Sequence, residues 1–340
     1  MNDRPQTPGE HLRGLIDGFW AVPVISAAAQ LQIPERLAAG PKDARTLARD
    51  TGAHATSLHR LLRALETLGL CTAVGGDTYA LTDTGHLLRA DSPESLRGRA
   101  LHTADMLWKQ LGDLCDQVRT GGRTSAFPTG SEGFEALKGD PARLHKFQTN
   151  MAEGSRRAAQ AAMEVYDFSP FARVLDLGGG YGGVLAELLR AYPLQRGAVC
   201  DLGYLEPGAL DYLSSAGVGE RSGFVQADFF ASVPDGYDLY LMKYILHDWD
   251  DEQALQILRN VRSAVGKHSR LVVIEQIIPP SLTTSVTDQD VIRADLVMMS
   301  VGGKERTAAE YRALFADSGW ALSWIVPTGT MFSLIEGKPA

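Results

Sequence analysis

An α/β fold with a largely parallel sheet, preceded by a smaller winged-helix segment, is what this 340-residue chain predicts. Three observations carry that expectation. Leucines recur at helical spacing up to residue 70, a β-hairpin signal follows them, and from Arg173 onward short apolar runs alternate with helical segments. At roughly 100–200 residues per domain, the length suggests two domains or three short ones. The shifts in pattern set the expected divisions: residues 1–95 winged-helix-like, 96–170 a helical linker, and 171–340 the α/β part.

Leu61, Leu62, Leu65 and Leu68 of SLHRLLRALETLGL predict a helix that Gly69 is placed to end. CTAVGGDTYALTD then holds two β-prone runs around Gly75-Gly76-Asp77, a hairpin signal. Helices followed by a hairpin make the winged-helix pattern. Residues 92–170 read helical again, broken by the loop GGRTSAFPTGSEGF at 121–134. RVLDL, GAVCDL, GFVQADFF, YDLYLMKYIL and RLVVIEQII read as strands, separated by helical segments such as VLAELLRAYP and DEQALQILRNVRSAV. That alternation implies parallel strands covered on both faces. GWALSWIVPTGTMFSLIEGKP adds two β-prone runs joined by Pro-Thr-Gly-Thr, an antiparallel pair that closes the sheet.

Composition narrows the function. With 44% apolar and 22% charged residues, the chain has the makeup of a soluble globular protein, which excludes wholesale disorder. A formal charge of −8 gives no global positive field for a phosphate backbone. Residues 1–95 themselves carry nine Lys and Arg against eleven Asp and Glu, which argues against DNA reading by the winged helix and against nucleic acid as a partner. Cys71, Cys115 and Cys200 fit neither a disulfide framework nor a four-ligand zinc site. A polar N-terminus, and an early apolar run (Phe19 to Leu31) interrupted by Pro23 and Gln30, lead to the expectation of a cytoplasmic protein without membrane attachment.

The end of the first α/β strand carries the chemistry. Asp176 stands before Gly178-Gly179-Gly180-Tyr181-Gly182-Gly183, a GxGxxG spacing that opens into a helix, where glycines let backbone N–H groups approach a ligand. Asp201 ends the next strand, placed to accept hydrogen bonds from both hydroxyls of a ribose. Asp176 would repel a pyrophosphate but suits a ligand with an ammonium and a nearby sulfonium. Asp228 and Phe229, at the end of the third strand, are placed for the amine and ring face of an adenine. Three strand-end carboxylates favour the cationic S-adenosylmethionine over a nicotinamide dinucleotide. Asp228 alone also reads as a helix cap or a solvated loop residue.

VLDLGGGYGG, QADFF, MKYILHDWDDEQALQILRNV, VVIEQIIP and GGKERTAAEY, in this order, resemble the small-molecule O-methyltransferases of the plant caffeic-acid type and their bacterial antibiotic-pathway relatives. The resemblance covers nearly the whole chain. It implies a Rossmann-like class I methyltransferase domain, an N-terminal all-α winged-helix dimerisation domain, a homodimer, and S-adenosylmethionine as cofactor with no metal. By the same resemblance His247 is the general base, with Asp248 adjacent and Glu275 and Glu305 flanking it. Either glutamate is a candidate to orient the ring, and the alternative for Glu305 is a surface ion pair with Lys304 or Arg306. Asp176, Gly178, Gly180, Asp201, Leu202, Asp228, Phe229, Lys243, Met151 and Ser155 would face the donor. Phe147, with Phe134, Trp108 and Met298 as looser candidates, would face a small aromatic acceptor. The alternatives are the same fold and cofactor used for hydroxylation, decarboxylation or methylation of nitrogen or carbon, and a donor-sensing regulator built on the winged helix.

Overall fold

The computed structural model describes residues 6–92, 94–121 and 137–340. They fall into two compact units, Met1–Gly112 and Asp113–Ala340.

In the first unit, α1 (Pro8–Asp17) starts on a capping box between Thr7 and Glu10 and passes through a 3-10 turn into α2 (Ala21–Gln30). α3 (Ile33–Ala38), α4 (Ala44–Thr51) and α5 (Ala55–Thr67) follow. The Asp43 side chain accepts from the backbone N–H groups of Arg45 and Thr46 and so caps α4, which ends on Gly52 in the left-handed region. Leu58, Leu62 and Leu65 form the buried stripe of α5, packed with Ile33, Leu37, Leu47 and Tyr79, while Leu61 and Leu68 are only partly covered. β2 (Cys71–Gly75) and β3 (Thr78–Leu81) form the expected hairpin. A two-residue strand, β1 (Lys42–Asp43), pairs with β3 and makes the sheet three-stranded. Two residues carry no periodicity, so this strand leaves no trace in the sequence pattern.

Leu12, Leu15, Ile16 and Phe19 are each at least 58% exposed, an apolar ridge along α1 and the turn after it. The run Pro8–Gln30 is long and apolar enough to cross a membrane by length and composition. No uninterrupted apolar stretch marks it in the sequence, where Pro23 and Gln30 break the run from Phe19 to Leu31.

The second unit opens with a short helix, Leu114–Thr120, and the long α6 (Pro141–Val165). Strands then alternate with helices: β4 (Arg173–Leu177), α7 (Gly183–Ala191), β5 (Arg196–Asp201), α8 (Glu206–Ser215), β6 (Ser222–Gln226), β7 (Leu239–Lys243), α9 (Asp251–Ala264) and β8 (Arg270–Glu275). A short β9 (Ile277–Ile278), α10 (Val286–Val301), β10 (Arg306–Thr307) and α11 (Ala308–Asp317) lead to the antiparallel pair β11 (Trp320–Pro327) and β12 (Ser333–Pro339). The seven-stranded sheet has the order β11-β12-β8-β7-β4-β5-β6, parallel from β8 to β6.

Successive side chains on these strands point to opposite faces, and both faces are covered. Leu175, Leu177, Tyr240, Met242, Leu271 and Val273 pack against α9 and α11. Val174, Leu239, Leu241, Val272 and Ile274 meet the alanine stripe of α6 and the apolar side of α7. Such double burial explains why these strands read as near-continuous apolar runs. The order reverses between β4 and β7, which opens a crevice at the C-terminal ends of the strands. The parallel pairing of β9 with β10, Arg306 opposite Ile277, carries the GGKERT segment to the end of β8. Neither two-residue strand is legible in the sequence.

Because Leu241 lies wholly inside the central strand pair, Leu241→Ala should cost about 2–5 kcal/mol. Leu194→Ala, at a side chain 96% exposed, should stay within about 0.5 kcal/mol of the parent. Urea denaturation followed by circular dichroism reads both.

Candidate active site

The glycine loop links β4 to α7. Gly178, Gly180 and Gly182 all have positive φ, a path open to glycine at little cost. Asp201 holds this loop by accepting from Gly180 N–H at 2.9 Å and from Leu202 N–H at 2.7 Å. A Cβ at Gly183 would lie 2.6 Å from the Ala152 carbonyl and 2.9 Å from the Ser155 Cβ, so the loop is pressed directly against α6. Gln148, one turn earlier on the same helix face, puts its carboxamide against Gly180. The sequence reading selected Met151 and Ser155 from this helix. Ser155 is buried against the loop, Met151 is half-buried, and Gln148 was missed.

Asp176 is buried with its Oδ2 unpartnered, an orphan acceptor beside the glycine turn. Burial above all, and the neighbouring Asp201 charge, push its carboxyl up to about 7 against the opposing N–H of Leu185. Burial also raises Asp201, held back by its two backbone hydrogen bonds. Lys243 ends β7, where burial pulls its ammonium down to about 8 against the charges of Glu275, Asp176 and Asp248. A buried carboxyl with one unpartnered oxygen, a second carboxyl at the next strand end and an N–H-lined turn fit a cationic nucleoside ligand. Asp228 lies two residues beyond β6 and is exposed, with Oδ1 accepting from Phe230 N–H at 2.9 Å. It therefore acts as the solvated turn residue that its second reading names. Half-buried Phe229 packs toward Gly178 and the ring of Phe230.

His247, Glu275 and Glu305 come together as expected, all buried, with donor atoms within 4.8 Å of one another. The two glutamates have separate tasks. Glu305 Oε1 lies 2.9 Å from His247 Nδ1, whereas Glu275 Oε2 stands 3.6 Å from that nitrogen, beyond hydrogen-bond reach. Glu275 instead accepts through Oε1 from the N–H groups of Ile245 (3.1 Å) and Leu246 (3.0 Å). Asp248 Oδ1 is 3.5 Å from Nε2. Burial pulls the imidazole down, but the charges of Glu275, Asp248 and Glu305 and the Glu305 hydrogen bond outweigh it, raising His247 to about 9. Burial lifts Glu275 above the ordinary carboxylate range.

The alternative reading of Glu305 as a surface ion-pair partner is overturned. Lys304 bonds Asp251 and Glu310, and Arg306 turns inward. Fully buried, the Arg306 guanidinium donates to Asp251 Oδ1 (2.9 Å) and to the carbonyls of Leu246 (2.6 Å) and Trp249 (2.8 Å). Lys304 N–H reaches the His247 carbonyl at 2.9 Å, and a Cβ on Gly303 would collide with that same carbonyl, which accounts for the glycine. Asp295 on α10 accepts from Glu305 N–H at 2.9 Å. Arg306 and Asp295 were missed by the sequence reading. The only available signal was Arg306's place in the motif that already held Glu305.

Of the acceptor candidates, Phe147 on α6 and Met298 on α10 are half-buried. Trp108 belongs to the first unit and is 46% exposed. Phe134 lies outside the described residues.

Residues 108–321 match the O-methyltransferase domain model and residues 14–91 the O-methyltransferase dimerisation domain model. The chain is 35% identical to a phenazine O-methyltransferase of Lysobacter antibioticus, over 96% of this chain and 94% of that one. It is 33% identical to the mitomycin biosynthesis 6-O-methyltransferase of Streptomyces lavendulae, over 97% of this chain and 96% of that one. An O-methyltransferase from neocarzinostatin biosynthesis, solved with S-adenosylmethionine and 2-hydroxy-5-methyl naphthoic acid, matches at a TM-score of 0.80 and 32% identity, over 94% of this chain and 96% of that one. With both domain models matched in order and relatives similar over nearly their full lengths, the chain belongs to the S-adenosylmethionine-dependent O-methyltransferases.

Proposed function

We propose that this enzyme methylates a hydroxyl group of an aromatic natural product, with His247 as general base. The observation that carries the proposal is the 2.9 Å bond between Glu305 and His247 Nδ1. A carboxylate there holds the proton on Nδ1, which leaves the Nε2 lone pair free to take the acceptor's proton.

The elevated basicity suits the chemistry. A phenol ionises near 10, so an ordinary imidazole near 6.5 would take its proton at a cost of about 5 kcal/mol, whereas a base at about 9 does so for on the order of 1 kcal/mol. S-adenosylmethionine, when bound, supplies a methyl group already activated on a cationic sulfur. Asp176, Asp201, Leu202 and Lys243 at the strand ends, with Gly178, Gly180 and Ser155, would hold it, and Asp228 and Phe229 would receive the adenine. The chain's own work is then proton removal and alignment.

Of the helical linker expected over residues 96–170, α6 would line the acceptor pocket. This is supported by the contact of α6 with the glycine loop. Homodimer formation through residues 1–95 is supported by the match to the dimerisation domain and by the exposed ridge of Leu12, Leu15, Ile16 and Phe19, which is the kind of surface a second copy covers.

With methyl-labelled donor and a panel of hydroxylated aromatics, label should appear on an acceptor oxygen. His247→Ala should lower kcat by roughly 10²–10⁴ while the Kd for S-adenosylhomocysteine, measured by calorimetry, changes by less than about threefold. Turnover surviving in that variant would remove His247 from the base role.

The sign of the pH dependence follows from the raised pKa. Activity of the wild type should climb with pH and reach half-maximum well above the ordinary imidazole value, toward about 9. Glu305→Gln should shift that limb to lower pH and reduce kcat. Stability runs the other way: the imidazolium pairing is fully present below about 6.5 and fades as pH rises through about 9. Urea midpoints of wild type and His247→Gln should therefore converge over that interval.

A further inference from the structure

Tyr244 is one of two non-glycine residues among the described residues with a positive φ, at 57°. For a bulky aromatic residue the left-handed region is strained, and such strain persists only where surrounding contacts enforce it. It follows β7 directly, and its own N–H still extends the ladder to the Ile274 carbonyl at 3.2 Å. After it the chain leaves the sheet, and the next two N–H groups are those captured by Glu275.

This turn lays the Tyr244 ring on the imidazole of His247, with centroids 4.5 Å apart and planes within 21°. The tyrosine ring is itself fixed on several sides. Its hydroxyl accepts from Gln276 Nε2 at 2.8 Å, Met331 Sδ lies 3.9 Å from that hydroxyl, and Phe332 packs against the ring at 5.2 Å. The Lys243 ammonium sits 4.1 Å from the ring centroid.

A single hydrogen bond to Nδ1 sets one in-plane direction of an imidazole and leaves the ring free to roll about that bond. A flat partner stacked on its face stops the roll. We propose that Tyr244 is a positioning residue for methyl transfer: its ring, locked in a strained backbone conformation, fixes the plane of the His247 imidazole so that Nε2 stays aimed at the acceptor. The inference rests on His247 being the base. Glu305 and Tyr244 then constrain orthogonal motions of one ring, and alignment losses of this kind appear in kcat, where proximity and orientation act.

Tyr244→Asn is the informative variant, because Asn tolerates the left-handed region and lacks the stacking ring. Its kcat should fall about 10- to 100-fold, with the S-adenosylhomocysteine Kd within about threefold and the circular dichroism spectrum of the folded parent retained. Tyr244→Phe, which keeps the ring and loses only the Gln276 bond, should recover most of the lost turnover. Independently of activity, the His247 ring-proton resonances of histidine-labelled protein should lose the stacking shift in Tyr244→Asn and keep it in Tyr244→Phe. A second cycle is run in the His247→Ala background, where Tyr244→Asn should add no further loss. Wild-type kcat in Tyr244→Asn, an equal collapse of donor affinity, or an additive loss without His247 would each overturn the proposal. Full turnover in His247→Ala alone would instead overturn the base assignment on which it stands.

Discussion

The catalytic end of the second unit depends on one buried carboxylate that spends its hydrogen bonds on the backbone. Glu275 closes β8, where the parallel ladder between β7 and β8 has just run out, and its Oε1 takes the N–H groups of Ile245 and Leu246. Both residues are buried, so without that oxygen two donors would be left without partners. Each buried unsatisfied group costs about 1–3 kcal/mol. Glu275 in effect continues the sheet by one rung and fixes the path of the turn that presents His247.

The carbonyls of the same turn are met by charge of the opposite sign. Arg306 reaches Leu246 and Trp249, and the backbone of Lys304 reaches His247 itself. A guanidinium suits this task because its planar fork offers several fixed donors. Asp251, at the start of α9, and Asp295, on α10, complete the frame. The turn between Tyr244 and Trp249 is thus clamped from its N–H side by an anion at the end of β8 and from its carbonyl side by a cation that the β9–β10 pairing brings beside it.

The sheet was legible in the sequence because strands buried on both faces announce themselves as apolar runs, and the glycine motif because only glycines make that turn. His247, Glu275 and Glu305 were named through motif resemblance. Their division of labour was not, since a difference of 0.7 Å between two carboxylates depends on how β8 and β10 meet. Arg306 read as an ordinary surface charge because nothing local distinguishes a guanidinium that turns inward. Tyr244 escaped for a similar reason: in YDLYLMKYIL it continues the apolar alternation of the strand, and its positive φ arises from tertiary contacts. Gln148 and Asp228 show the converse limit, where one polar residue on a helix face and one after a strand are defined by neighbours far along the chain.

The concentration of charge around His247 looks extravagant beside an apolar core, since buried ion pairs recover their desolvation cost poorly. Its logic lies in what happens to the ring. Three carboxylates, Glu275, Glu305 and Asp248, surround an imidazole that, in the proposed role, becomes positive while an acceptor oxygen becomes a nucleophile. The field that makes neutral histidine unfavourable at rest is the field that stabilises imidazolium as the proton arrives, so the cost is set against the transition state. Such preorganisation works only if the dipoles and charges do not relax. On that proposal the turn's backbone, tied at both polarities, and the flat ring of Tyr244, held in a strained conformation against the face of the imidazole, serve the same end.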